Sequence, residues 1–217
     1  MTELSRYSAL IPVKSLAQVK SRLADHLTLR QRQNLVLDML QHVLSVLIES
    51  ECFERVAVVS PDERVVAHAR EWGAYSLGEE IAGHNEALSA AAESKALAET
   101  SALLTISADL PLLHSSDIQH MVALAERHDL VLAPARAGTG TNAILVRPPL
   151  AVPYLFGPNS FQRYQQAARQ RNRNTSIYHS IGTSLDIDTI DDLDDLYELQ
   201  ALSGEHMKSW QRLACCQ

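Results

Sequence analysis

The sequence has few cysteines, and their positions exclude both a disulfide framework and a cysteine-ligated metal site. Cys52 stands alone, and Cys215 and Cys216 are adjacent near the C-terminus of the 217-residue chain. This spacing matches neither a set of bridges between distant segments nor a metal-ligand motif. The nine histidines show no metal-ligand spacing either. Because reduced thiols are typical of intracellular proteins, we expect a cytoplasmic protein.

Long apolar runs and a surplus of positive charge are also absent. No run approaches the ~20 residues of a membrane span, and residues 1–8 lack the apolar core of a signal peptide. The net charge is −7, whereas a general nucleic-acid-binding protein would carry a basic face. We therefore expect a soluble protein that binds neither a membrane nor nucleic acid.

Strand-like and helix-like segments alternate along most of the chain. Short apolar runs predict strands at 9–13, 55–60, 102–107, 130–133, 143–147, 175–179 and 184–188. Helical spacing and capping residues predict helices at 29–48, 63–72, 86–99, 115–128, 159–171 and 191–202. This alternation implies crossover connections and a largely parallel sheet covered on both faces. The prediction is a single three-layer, Rossmann-like α/β domain at 1–203, followed by a C-terminal tail at 204–217.

A cationic loop follows the first predicted strand. It carries Lys14, Lys20 and Arg22, with no acidic residue among them before Asp25. Ligands of open α/β sheets bind at the carboxyl ends of the strands, so this loop predicts a site for a polyanion, and a nucleoside triphosphate is the first candidate. The alternative is an ordinary surface turn with three solvated cations.

Carboxylates follow two other extended segments. Asp109 comes two residues after the apolar run at 102–107, and Asp186 and Asp188 alternate in the run Leu-Asp-Ile-Asp-Thr. On a strand, alternate residues face the same side, and Mg²⁺ prefers one or two carboxylates together with substrate phosphates. These residues predict a magnesium site, with the choice between Asp186 and Asp188 left open. Helix capping is the alternative role for each carboxylate.

Two glycine-containing loops are candidate anion-binding sites. The segment 138–143 superficially matches a dinucleotide fingerprint, but a β-like run follows it where that fingerprint requires a helix. The segment 156–161 combines Gly157, Pro158 and Ser160 next to a predicted helix N-terminus, which is the local chemistry of a phosphate cradle. Ordinary turns are the alternative in both cases.

Taken in order, these segments resemble the 2-phospho-L-lactate guanylyltransferase family of coenzyme F-420 biosynthesis, which includes phosphoenolpyruvate guanylyltransferases. The matching segments are IPVKSLAQVKSRLA at 11–24, VLDML at 36–40, VVSPD at 58–62, HNEAL at 84–88, ADLPLL at 108–113, GTGTNAILVRPP at 138–149, FGPNSF at 156–161 and LDIDTIDDL at 185–193. The chain departs from the family pattern at His84, where Leu is more usual, and at Ile190, where Pro is usual.

The resemblance implies a nucleotidyltransferase fold and magnesium-dependent transfer of GMP from GTP to a phosphorylated three-carbon acid. It places Asp109 and Asp186 on the metal. It also places Thr141, Gly157 and Ser160 on the acid's phosphate. The charge of the reacting groups assigns Lys14, Lys20 and Arg22 to the triphosphate and the leaving pyrophosphate, and Asn85 is the first candidate for contact with guanine. A homodimer and transfer of the product to the downstream deazaflavin transferase are further expectations.

Several alternatives stay open at this point. Molybdenum-cofactor and cytidylyl nucleotidyltransferases normally have a glycine-rich first loop, and residues 15–21 contain no glycine. A nucleotide-sugar glycosyltransferase would use 186–188 as an Asp-x-Asp motif, although that motif normally follows a strand in the middle of the chain. A non-catalytic nucleotide sensor would lack the metal carboxylates. The acid itself could be 2-phospholactate, phosphoenolpyruvate or 3-phosphoglycerate.

Overall fold

A central sheet of seven strands organises the fold, in the order β3-β2-β1-β4-β6-β5-β7. The computed structural model describes residues 6–78 and 83–203, and the predicted tail, with Cys215 and Cys216, lies outside them. The strands are β1 (Tyr7–Pro12), β2 (Arg55–Ser60), β3 (Tyr75–Gly78), β4 (Ala102–Ile106), β5 (Leu130–Pro134), β6 (Thr141–Val146) and β7 (Thr175–Ile177). The α-helices are α1 (Leu29–Glu49), α2 (Glu63–Glu71), α3 (His84–Ala92), α4 (Ser115–Ala125), α5 (Ser160–Gln170), α6 (Ile181–Ser184) and α7 (Ile190–Ser203).

The sheet is mostly parallel, as predicted, and β6 is the strand that runs the other way. Strand β6 pairs antiparallel with both β4 and β5. The pairs β1–β2, β1–β4, β2–β3 and β5–β7 are parallel. The short connection from β5 to β6 explains the reversal, because parallel neighbours need a longer crossover. As a result, β6 begins at the same edge of the sheet at which β1 and β4 end.

Helices cover both faces of the sheet, which confirms the three-layer prediction. On one face, Ile11 and Leu104 belong to a core cluster that also contains buried side chains of α1, α2, α4 and α7. On the other face, Leu10 and Leu103 pack with residues of α3, and Ile144 packs with residues of α5. Neighbouring strand residues therefore face opposite layers, as the alternation of side chains along a strand requires.

The predicted start of α1 is confirmed by its capping contacts. The Thr28 hydroxyl accepts a hydrogen bond from the Gln31 amide at 3.3 Å, and the Gln31 side chain accepts one from the Thr28 amide at 2.9 Å. This reciprocal pair satisfies two of the backbone donors that a helix N-terminus leaves free.

Within the described ranges, no helix combines the length and hydropathy that crossing a bilayer requires.

Sequence analysis missed one strand and the short helix α6, and two of its predictions of secondary structure were wrong. Strand β3 was not predicted, and the helix predicted at 86–99 ends at Ala92. The segment predicted as a strand at 184–188 starts at the end of helix α6, and residues 185–188 lie outside the sheet. Leu185 and Ile187 are nevertheless buried in the core. Their alternation with carboxylates gives the sequence pattern of a strand. The backbone hydrogen bond from this segment to the loop after β4 runs from the Ile187 amide to the Asp109 carbonyl at 3.2 Å.

Candidate active site

A cavity of about 690 Å³ opens at the edge of the sheet where β1 and β4 end and β6 begins. The loop after β1 and the loop after β4 form much of its wall. Further lining residues come from more distant segments: His84, Thr141, Phe156, Asp186 and Asp188. The carboxyl ends of the central strands thus converge on one cavity, as predicted from the open α/β fold.

The backbone of Leu16, in the cationic loop after β1, is hydrogen bonded to side chains at the start of α2 and in α1. The Leu16 amide donates to the Asp62 carboxylate at 2.9 Å, and the Leu16 carbonyl accepts from the Gln33 side chain at 3.0 Å. Hydrogen bonding to Arg64 is the largest of the effects that hold the pKa of Asp62 below its usual range. The ionised carboxylate of Asp62 accepts the hydrogen bonds of the Leu16 amide and of Arg64, so Asp62 helps to position the loop. Sequence analysis missed this role, although VVSPD was part of the family pattern.

Lys20 lies at the centre of the charge arrangement. Its side chain is only 8% exposed, and its ammonium contacts the carboxylates of Asp109 and Asp188, the latter at 2.9 Å. Burial alone would lower the pKa of Lys20, but the two carboxylates outweigh it and raise that pKa. Lys20 therefore stays charged at neutral pH, with much of its charge directed at carboxylates of this chain.

Asp186 and Asp188 differ in their surroundings. The Asn142 side chain donates to Asp186 at 3.0 Å, yet burial and the charges of Asp109 and Asp188 raise the pKa of Asp186. Burial also acts on Asp188, but there Lys20 and the neighbouring cations prevail, so that its pKa is lowered. Asn142 also donates to two carbonyls of α6, each at 3.2 Å. It therefore holds Asp186 in place, a function that sequence analysis did not assign.

Lys14 and Arg22 complete the cationic wall from more exposed positions. The Arg22 side chain is 72% exposed, and its guanidinium lies 3.8 Å from the carboxylate of Asp188. Lys14 is exposed and lines the cavity close to His84. Burial and the charge of Lys14 lower the pKa of His84, which keeps its imidazole neutral at pH 7. The three predicted cations thus share one wall, but Lys14 and Arg22 are freer than Lys20 to meet an anionic ligand.

The residues predicted to bind the acid's phosphate lie at the β6 side of the cavity. Thr141 lines it directly, and the buried Ser160 hydroxyl donates to the Thr141 hydroxyl at 3.1 Å. Gly157 has a φ of +118°, a conformation that favours glycine, and follows the lining residue Phe156. Thr141 is therefore the member of this predicted set that reaches the cavity, with Ser160 behind it.

Asn85 lies beside this wall and makes a reciprocal contact with the backbone of Phe156. Its side chain accepts from the Phe156 amide at 2.9 Å and donates to the Phe156 carbonyl at 3.1 Å. These bonds hold Phe156, whose ring forms an edge contact with His84 at 5.8 Å between centroids. The contact of Asn85 with guanine stays a prediction, and in this structure its carboxamide shapes the cavity wall.

The carboxylates fit a magnesium ion in kind. Asp109, Asp186 and Asp188 offer the hard oxygen ligands that Mg²⁺ prefers. The Oδ1 atom of Asp109 is buried and makes no hydrogen bond, which is unusual for a carboxylate oxygen. In the described part of the chain, no three acidic, histidine or cysteine side chains form a ready metal cluster. The ammonium of Lys20 is the cation that links Asp109 with Asp188.

Comparison with known proteins identifies the family. The family described as "Guanylyl transferase CofC like" matches residues 7–213. The chain belongs to this family. The match covers both the loop after β1 and the carboxylates at the end of the domain, and it favours a guanylyltransferase over the cytidylyl and glycosyltransferase alternatives.

Named relatives of this CofC-like chain carry two activities in their names. The phosphoenolpyruvate guanylyltransferase of Sphaerobacter thermophilus is 38% identical over 188 residues, covering 87% of this chain and 91% of the relative. The 2-phospho-L-lactate guanylyltransferase of Methanocaldococcus jannaschii is 30% identical over 193 residues, covering 88% and 83%.

A solved structure from Desulfovibrio desulfuricans G20, described as a nucleotide-diphospho-sugar transferase, superposes with a TM-score of 0.80 at 17% identity. It covers 96% of this chain and 94% of its own. At that identity the likeness shows the fold alone, and it confirms the Rossmann-like α/β fold of the CofC-like chain.

Proposed function

We propose that this protein transfers GMP from GTP to the phosphate of a phosphorylated three-carbon acid and releases pyrophosphate. The observation that carries the proposal is the charged cluster at the carboxyl ends of β1 and β4, in a member of a guanylyl transferase family. There, Lys20 joins Asp109 to Asp188, and Lys14 and Arg22 line the same cavity.

The reaction is an in-line displacement at phosphorus. An oxygen of the acid's phosphate forms a bond to the α-phosphorus of GTP, the bond to the β-phosphate oxygen breaks, and pyrophosphate leaves with that electron pair. The attacking phosphate is already ionised at neutral pH, so no general base is required. Catalysis therefore depends on positioning two polyanions and on neutralising their mutual repulsion.

The residues of the cavity divide these tasks. Lys14 and Arg22 are exposed to the cavity and would neutralise the triphosphate and the departing pyrophosphate. Asp109 and Asp186 would hold magnesium, with Asp188 beside them. Magnesium, when bound, would screen the phosphates and favour displacement at the α-phosphorus. Asn142 keeps the carboxylate of Asp186 oriented towards this centre.

The acceptor would bind on the β6 side, with its phosphate at Thr141 and near the backbone of Gly157, while the buried Ser160 supports Thr141 from behind. Because relatives are named for phosphoenolpyruvate and for 2-phospho-L-lactate, both acids are candidate acceptors, together with 3-phosphoglycerate. These acids differ by few atoms, and a contact on that scale contributes about 1–3 kcal/mol of discrimination. We place the reaction in the cytoplasm and in coenzyme F-420 biosynthesis. A homodimer and direct transfer of the product to a downstream deazaflavin transferase stay predictions.

Pyrophosphate release tests the proposal. The purified protein is assayed with Mg²⁺ and each of the four ribonucleoside triphosphates against each of the three acids, with Asp109→Asn as the inactive control. We expect release to require an acid and to be fastest with GTP. Faster turnover with ATP or CTP for every acid would reject the guanylyl assignment, and release without any acid would reject the acceptor.

A further inference from the structure

Arg32, in the first turns of α1, contacts the back of the cationic loop. Its guanidinium donates to the Val19 carbonyl at 2.9 Å and to the Lys20 carbonyl at 3.4 Å. The Lys20 carbonyl also accepts from the Leu23 amide at 2.9 Å, which closes a short helical turn at Ser21–Leu23. Arg32 thus contacts the backbone at the residue whose side chain occupies the centre of the charged cluster.

The backbone of Lys20 needs such support. Its φ of +48° and ψ of +50° lie in the left-handed region, which residues with a side chain adopt rarely. One guanidinium nitrogen of Arg32, Nη1, donates both hydrogen bonds and so links the Val19 carbonyl to the Lys20 carbonyl. The contacts of Arg32 with the carbonyls on both sides of the Lys20 Cα are therefore well suited to stabilise this turn.

The conformation of the turn decides where the ammonium of Lys20 lies. In the left-handed turn, the Lys20 side chain is 8% exposed and reaches both Asp109 and Asp188. The described residues that line the cavity do not include Arg32. Arg32 therefore acts on the site through the loop whose carbonyls it contacts.

We infer that Arg32 is a positioning residue for nucleotidyl transfer, which holds Lys20 in the left-handed turn that directs its ammonium between Asp109 and Asp188. This inference rests on the proposed function, since it assigns Arg32 a part in the same reaction. It concerns a residue outside the family segments identified in the sequence, which end at 24 and resume at 36.

The test compares Arg32→Met with Arg30→Met. Methionine retains much of the apolar stem of arginine, so packing along the stem is largely preserved. Arg30 is exposed on the same helix and is the matched control. We expect Arg32→Met to lower kcat at least tenfold and Arg30→Met to change it less than twofold. Equal rates in the wild type and Arg32→Met would overturn the inference. Arg32→Lys, which keeps one donor group, should recover part of the loss.

A double-mutant cycle separates positioning from general stability. In a Lys20→Met background the group that Arg32 positions is absent, so adding Arg32→Met should change kcat less than twofold. A variant that merely destabilised the domain would lower kcat by a similar factor in both backgrounds. If the two single effects multiply in the double variant, Arg32 acts independently of Lys20 and the inference is wrong.

Hydrogen–deuterium exchange gives a readout that does not depend on activity. The amides of Leu23 and Ala24 are hydrogen bonded to carbonyls of the turn, so exchange in a peptide covering 17–27 should accelerate in Arg32→Met and stay unchanged in Arg30→Met. If the wild type releases no pyrophosphate with any acid, the proposed function fails while the exchange result still decides whether Arg32 holds the loop. Unchanged exchange in Arg32→Met would refute that role. Should Arg32→Met not fold, Arg32→Lys takes its place, with a smaller acceleration expected.

Discussion

Replacement of Lys20 by methionine removes the charge that joins two carboxylates. Methionine has a similar length and fills the apolar part of the lysine site, so the main change is electrostatic. Asp109 is 19% exposed and Asp188 is 48% exposed, and in Lys20→Met both would face Asp186 without the buried ammonium. The three carboxylates would then repel one another in a partly dry site.

The size of the effect follows from the burial of the partners. Removing one member of a buried ion pair costs about 3–5 kcal/mol, and the half-exposed Asp188 places Lys20→Met at the lower end, about 3 kcal/mol. For a domain of this length, about 3 kcal/mol corresponds to a fall in Tm of roughly 6–12 °C. Lys95 is exposed, so Lys95→Met is the control and should change stability by less than about 0.5 kcal/mol.

The pH dependence of stability shows whether the ion pair between Lys20 and Asp188 stabilises the fold. In the wild type the cations lower the pKa of Asp188, so this pairing stabilises the fold above pH ~3.8 and is lost as the pH falls through the lowered pKa. Without Lys20 the pKa of Asp188 would be lowered less, so Asp188 would take up its proton at higher pH and the repulsion would be relieved. The difference between Lys20→Met and the wild type should therefore be full at pH 7 and smaller at pH 4. Urea denaturation followed by circular dichroism at both pH values measures it. Equal stability at pH 7 would refute the central place of Lys20.

Three further predictions concern other parts of the site and its support. Asp109→Asn and Asp186→Asn should each abolish turnover with Mg²⁺ and leave the circular dichroism spectrum unchanged; near-normal pyrophosphate release would remove that residue from the metal site. Gly182→Ala should lower stability by about 2 kcal/mol, because a Cβ there would lie 2.6 Å from the Leu112 carbonyl oxygen. Gly78→Ala, with no atom within 4 Å, is its control, and equal melting temperatures would contradict the model of close packing. The pKa of His84 is lower in the folded protein than in the unfolded chain. As the pH drops below ~6.5, His84 is therefore protonated in the unfolded chain before it is protonated in the fold, and stability should fall. His84→Leu should make that fall smaller, as measured by thermal melts from pH 5 to 8.

Local patterns were sufficient to predict the layers and the edge of the sheet that carries the site. Apolar runs, caps and their alternation predicted most elements, and the rule that ligands bind at strand carboxyl ends placed Lys14 and Asp109 together. The error at 184–188 has a physical cause. Leu185 and Ile187 are buried in alternation with carboxylates, and burial alone produces the pattern that a paired strand would also produce.

The supporting contacts could not be predicted from local patterns. Asp62 acts on the Leu16 amide across 46 residues, and Asn142 acts on Asp186 across 44 residues. Contacts of this kind depend on how distant loops meet, and the residue types that make them are equally common on solvated surfaces. Arg32 gives no sequence signal for the same reason, since its partners are backbone carbonyls, which every residue has.

The reversed direction of β6 brings Thr141, a proposed acceptor residue, to the edge of the sheet at which β1 and β4 end. The cations after β1 and Asp109 after β4 precede residue 110, whereas Thr141 at the start of β6 and Ser160 at the start of α5 follow residue 140. The proposed acceptor residues therefore lie in one segment, between Asp109 and Asp186, the two proposed metal ligands. If the proposed roles hold, this segment can diverge while the proposed nucleotide and metal residues on either side of it are retained. It offers a structural reason why one family contains relatives named for two different acids.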